Sequence, residues 1–129
     1  MKNKGQSSLE FAVLVGFVMV AFALFFLVIR SNLSDKLDER INAEVKEVAW
    51  TVKNEVDLAS DSMEGYSRNF TLPNQVYGRE YDISVNESLV FVQTSDGKHR
   101  ISLPLQNVSG QIIKFENNIR KENGEVKLN

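Results

Sequence analysis

The stretch KGQSSLEF, residues 4 to 11, gathers the groups in this chain whose types and spacing could do chemistry. Gly5 offers backbone with no side chain, a peptide that a protease can grip. Glu10 places a carboxylate at the edge of 19 consecutive uncharged residues, Phe11 to Ile29. Ser7-Ser8-Leu9-Glu10 has the form of a capping box, in which the Ser7 hydroxyl accepts from the Glu10 N–H and the carboxylate accepts from the Ser7 N–H. An acid in a first helical turn also suits the positive end of the helix dipole. A cap accounts for Glu10 alone, and leaves Gly5, Gln6 and the preceding Lys2 and Lys4 without a reason.

Elsewhere the sequence is poor in reactive groups. There is no cysteine, so neither a disulfide framework nor a thiolate metal site can form, and the redox compartment goes unmarked. The one histidine, His99, cannot build a multi-histidine metal site or a histidine triad, and its place beside a turn predicts a solvated strand residue. Asp57, Asp61 and Glu64 are spread over a linker and resemble no calcium loop. A net charge of −2 excludes a generally basic surface, so no nucleic-acid partner is expected. Neither enzymatic activity nor a cofactor is expected. Four Asn-x-Ser/Thr sequons do stand out, at Asn32, Asn69, Asn86 and Asn107. Composition alone would yield roughly one or two, and the motif marks acceptors of N-linked glycans. Asn69, Asn86 and Asn107 are expected in loops, and Asn32 on a helix near the membrane.

The elements that must position these residues follow from periodicity. Nineteen apolar residues suffice to cross a bilayer core about 30 Å thick, and only a helix satisfies its own backbone there. Lys2 and Lys4 before the run predict a cytoplasmic N-terminus. Past Ile29, Leu33, Leu37, Ile41, Val45, Val48, Val52 and Val56 recur at three- and four-residue spacing, one face of an α-helix. Residues 17 to 64 contain no proline or glycine. One helix from Leu9 to about Ala59 is therefore expected, roughly 75 Å long, with its stripe and Trp50 packed on a sheet. From about residue 61 the composition turns to Ser, Gly, Asn and Pro. Residues 80–85, 88–94, 99–105, 110–116, 117–120 and 125–128 read as strands, with turns at Ser95-Asp96-Gly97-Lys98 and Asn123-Gly124. The fold class is α+β, a long helix on a small antiparallel head drawn as a meander.

Gln6, Ser8, Glu10 and Leu14 fit the Q-x-S-x-E-x-x-x-L pattern, and the segment resembles the class III signal peptide of archaeal type IV pilins. The resemblance covers nine residues set against the apolar run. Average residue usage would place Gly, Gln, Ser and Glu at their four positions with a chance on the order of one in 10⁵. It implies a pilin-like organisation: a leader, 1–5, removed by a prepilin peptidase; a long helix, 6–60, with a membrane and assembly segment, 9–29; and a β head, 61–129. Cleavage between Gly5 and Gln6 would take the side-chain charge from −2 to −4 and free an α-amine on Gln6, one turn from Glu10. In such families the apolar helices of many subunits pack at a filament's centre. There the Gln6 amine of one subunit would pair with Glu10 of another and fix axial stagger, since either charge is costly to bury alone. Ala12-xxx-Gly16 would let helices approach closely. Implied partners are other pilin subunits, an assembly platform with its ATPase, and the membrane before assembly. Adhesion from the cell surface is the implied use. Two other expectations compete. One is a secretory signal cut after Ala21-Phe22-Ala23, which would leave LFFLVI on the new terminus. The other is a single-span anchor presenting a small extracellular β binding module.

Overall fold

The computed structural model describes residues 3–86 and 88–129, the side chains of Asn3 and Lys4 excepted. Lys2, part of the expected leader, and Glu87, the middle residue of the Asn86 sequon, lie outside the described residues. The chain divides between Asp38 and Glu39 into two compact units.

A single helix, α1, runs from Asn3 to Asp61 and contributes to both units. In the first unit every described side chain from Gly5 to Asp38 is exposed. The helix begins earlier than the capping pattern predicts. Ser7 lies a turn inside it, so its hydroxyl cannot fill the N-cap role, which needs non-helical backbone. Glu10 is likewise past the first turn, which carries no acid.

In the second unit the stripe is buried as expected from Ile41 through Val45, Val48, Val52 and Val56, joined by Ala49 and Ala59. Leu33 and Leu37 share the spacing but are 57% and 44% exposed, and both belong to the other unit. Trp50 does not join the core. At about 100° per residue it falls roughly opposite the centre of the buried stripe, and it is 47% exposed. The helix ends through contacts supplied from far along the chain. No basic residue occupies its last turn. Instead the Lys121 ammonium donates to the carbonyls of Ser60 (2.6 Å) and Ser62 (2.8 Å), placing a cation at the negative end of the dipole.

Against this helical face stand strands β1 (Ser67–Leu72), β2 (Tyr81–Asn86), β3 (Leu89–Thr94), β4 (Arg100–Pro104), β5 (Val108–Gly110), β6 (Phe115–Glu122) and β7 (Glu125–Leu128). The α+β class stands, but the strands form two sheets and not one meander. β2-β3-β4 is a local antiparallel meander, while β1-β6-β7-β5 brings Ser67 opposite Arg120 and pairs β5 with β7 in parallel. Alternation works as the pleat requires: Val90 and Val92 of β3 turn inward to meet Tyr81, Ile119, Val126 and Leu128 in one core with the helix.

Two turns are as predicted. Asn123 and Gly124 both take positive φ (55° and 79°), joining β6 to β7 in the geometry that Asn-Gly favours. Between β3 and β4, the Thr94 hydroxyl donates to Asp96 Oδ1 at 2.6 Å and the Lys98 N–H donates to it at 3.0 Å. Those hydrogen bonds, the Thr94 hydroxyl foremost, hold the Asp96 carboxyl down at about 2.

The expected strand over 110–116 breaks. Residues 111–114 form an irregular connection, and Phe115 opens β6 with φ of 72°. Asn117, fully buried, explains the break. Its Oδ1 accepts from the Ile113 N–H (2.9 Å) and its Nδ2 donates to the Ile113 carbonyl (2.7 Å), replacing ladder bonds with side-chain bonds.

Candidate assembly segment and surface sites

The residues singled out at the N-terminus fall on one continuous helix. Gly5, Gln6, Ser8, Glu10, Ala12, Leu14 and Gly16 all belong to α1, and all are exposed. Gln6 and Glu10 are one turn apart, on neighbouring positions of one helix face. The segment Phe11–Ile29 presents its phenylalanines, leucines and valines outward all round, and none of the most apolar 18-residue window is buried. It is long and apolar enough to cross a membrane.

The glycines sharpen this picture. Glycine in a helix interior costs roughly 0.5–1 kcal/mol relative to alanine. Nothing lies within 4 Å of a Cβ built at Gly5 or at Gly16, and neither has positive φ. Nothing among the described residues requires a glycine at either position. Gly110 is the contrast: its φ is +100°, and a Cβ there would meet the Leu128 carbonyl oxygen at 2.0 Å. That glycine is demanded by the parallel β5–β7 pairing.

In the second unit the structure corrects the expectation for His99. It is buried, 5% exposed, and precedes β4 without being part of it. Its Nδ1 lies 2.7 Å from Asn42 Oδ1 and its N–H donates to Thr94 Oγ1 at 3.2 Å. The histidine thus links the β3–β4 turn to the helix. Sequence could not reveal this, because Asn42 lies 57 residues away.

An open groove of about 400 Å³ runs between the helix and the segment after β1, lined by Glu44, Glu47, Thr51, Thr71, Pro73 and Val76 among others. Its carboxylates are partly committed to structure: Glu44 accepts from the Tyr77 N–H at 2.6 Å, holding a residue whose φ is 48°. Among the described residues no three His, Asp or Glu side chains gather in a metal-holding group.

The sequons separate into different settings. Asn32 is exposed on the helix. Asn69 is mid-strand in β1 and not in a loop, because the Ser-Gly-Asn-rich boundary contains a strand that only its partner β6 defines. Its amide donates to Glu116 Oε1 at 3.0 Å and its Oδ1 accepts from Asn118 at 2.7 Å. Asn86 ends β2 and has a polar interaction of its own. Asn107 is in a connection, between β4 and β5.

Comparison with protein-family models, with curated proteins and with solved structures finds no match for this chain.

Proposed function

We propose that this chain is the precursor of a structural subunit of an archaeal type IV pilus-like filament. One observation carries the proposal: 19 apolar residues find no partner among the described residues, on a helix that continues into a folded head and carries Gly5 and the Gln6–Ser8–Glu10 pattern near its start. A helix apolar on every side needs lipid, other helices, or each in turn. Gly5 and Gly16, unexplained inside one chain, have reasons in this scheme. The Gly5–Gln6 peptide must leave the helix to enter a peptidase, and glycine lowers the cost of that local unwinding. Gly16 with Ala12 leaves a flat strip on which another helix can lie close.

Processing by a prepilin peptidase on the cytoplasmic face removes the lysine-bearing leader and frees the Gln6 ammonium. The helix then leaves the bilayer for the filament through an assembly platform driven by an ATPase. The Gln6 ammonium of an entering subunit meets Glu10 of one in place. A copy one step out of register leaves both charges buried alone, so the pair specifies stagger more than it adds stability. Adhesion at the cell surface is the use that fits such a filament.

N-terminal sequencing of the surface protein tests the scheme. The expected mature terminus is Gln6. Gly5→Leu should accumulate precursor and abolish filaments, whereas Glu10→Ala should be processed and assemble poorly. Filaments that retain Met1 would overturn the proposal. A lone polypeptide keeping Met1 would identify the alternative, a single-span anchor for a binding head, which the apolar segment supports as well.

A further inference from the structure

We infer that Asn123 is a latent deamidation site, held in check by the Glu64 carboxylate and released when the end of α1 parts from the β6–β7 turn. The inference stands on the second unit alone and is independent of the filament reading. Asparagine is a thermolabile residue, and Asn123-Gly124 is the one Asn-Gly dipeptide in the sequence. Glycine is the follower that obstructs the reaction least. A Cβ built at Gly124 would meet Glu64 Oε1 at 4.0 Å and nothing nearer. Asn123 is itself exposed, open to the water that completes the reaction.

The reaction is hydrolytic and redox-neutral. The Gly124 nitrogen gives its proton to water or hydroxide and bonds to Cγ of Asn123. The bond from Cγ to Nδ2 breaks, and Nδ2 leaves with the electron pair and a proton as ammonia. Water then opens the cyclic imide. Cutting the bond from Cγ to nitrogen leaves aspartate. Cutting the bond from the backbone carbonyl carbon leaves isoaspartate, with the chain rerouted through Cβ.

Two features of the fold oppose the first step. The Gly124 N–H donates to Glu64 Oε1, so the nitrogen that must lose a proton faces a negative charge. A like charge nearby disfavours the attacking anion. Asn123 and Gly124 also hold φ of 55° and 79° in a tight turn, with Glu122 paired to Glu125 across it. Closing the imide turns that peptide, which pulls the N–H off Glu64 and disturbs the pair.

The guard is supplied from another part of the chain. Glu64 lies shortly after α1, and the residue beyond it is fixed: the Gly65 N–H donates to the Lys121 carbonyl at 3.1 Å. The Lys121 ammonium in turn holds the carbonyls of Ser60 and Ser62 at the helix end. Glu122 is committed to Arg120 (3.2 Å) and Lys127 (3.5 Å), which leaves Glu64 as the carboxylate on the attacking nitrogen. The Asp96-Gly97 turn is the contrast. Its Gly97 N–H donates to the Thr94 carbonyl at 2.8 Å, within the same turn, so no distant element governs it. Deamidation at Asn123 adds a carboxylate beside Glu64, and isoaspartate lengthens a turn that has no slack. The product is thus a lasting record that the end of α1 has come away from the turn.

The whole chain in detergent micelles, incubated at mildly alkaline pH, tests this by peptide mass spectrometry, with isoaspartate read by enzymatic methylation. Melting midpoints are measured alongside, and incubation is kept well below them. Folded wild type should deamidate slowly at Asn123, and the same chain in urea much faster. Glu64→Ala should raise the rate in the folded chain about tenfold, the scale of a hydrogen bond to a charged group. Glu64→Gln keeps an acceptor without the charge and should fall between the two. Equal rates in folded wild type and Glu64→Ala overturn the inference, as does a folded wild type that reacts as fast as the chain in urea. If Glu64→Ala melts within the incubation range, Glu64→Gln decides, and parity with wild type overturns the inference.

Discussion

The two stretches of α1 have the same backbone and opposite fates. Residues 11–29 are apolar on every side and covered on none, whereas residues 41–59 are apolar on one stripe and buried along it. The difference lies in what each sequence asks of its surroundings. A one-sided stripe can be satisfied by the chain's own strands, and a fully apolar cylinder cannot. The second stretch therefore reports how the head folds, and the first reports that something beyond one chain must complete it.

Substitutions can break this contrast on either side. The largest effect is expected from two aspartates in the first stretch, Val18→Asp with Phe22→Asp. Each costs about 2.5–3.5 kcal/mol at a bilayer centre. The doubly substituted chain should move from the membrane to the soluble fraction while the head's melting midpoint stays unchanged. A change in both would mean that the two stretches are not independent. The converse is Ile41→Ala, which empties a fully buried position and should cost about 2–5 kcal/mol. Its midpoint should fall by roughly ten degrees or more, with membrane partition unaffected.

A third test uses alkali. Tyr81 is buried and its hydroxyl donates to the Pro73 carbonyl. Burial pushes its phenol up to about 12 from 10.0. Below pH 10 both folded and unfolded chains keep the proton, and the stabilisation is fully present. Between pH 10 and 12 only the unfolded chain ionises, so stability falls as pH rises. The loss is about 2 kcal/mol by pH 12. Denaturant titrations across that range should show a steeper decline than in Tyr81→Phe; equal slopes would refute the assignment. The smallest effect belongs to Trp50→Ala, expected within about 0.5 kcal/mol because the side chain lies outside the core. Emission from this single tryptophan should be red-shifted and open to aqueous quenchers.

Much of the helix was legible because its signals are local. Apolar length, three- and four-residue spacing and the absence of proline and glycine all act within a few turns. Asn123-Gly124 was equally legible, since two positive φ values nearly dictate the residues. The misread positions depended on distant partners. β1 hides in a Ser- and Asn-rich stretch because its strand character comes from β6. The bend at residues 111–114 depends on Asn117, and burial of His99 depends on Asn42. Trp50 departs from its expected place for a simpler reason: its angular position on the helix, not its apolar character, decides which way it faces. For the N-terminal motif the limit is different. A single chain contains Gly5, Gln6 and Glu10 but none of the surfaces they would act upon.

The strand order of the larger sheet has a kinetic consequence. β7, latest in sequence among the strands, lies between β6 and β5, and β1 waits for β6 nearly fifty residues later. A ribosome delivers β1 to β5 before the pieces that join them, so half the head emerges with open edges while α1 is already complete. Crowded nascent copies tethered by the same greasy segment would then be exposed to strand exchange. The β2-β3-β4 meander, closed by short turns, is the part able to form promptly and occupy the waiting face of the helix.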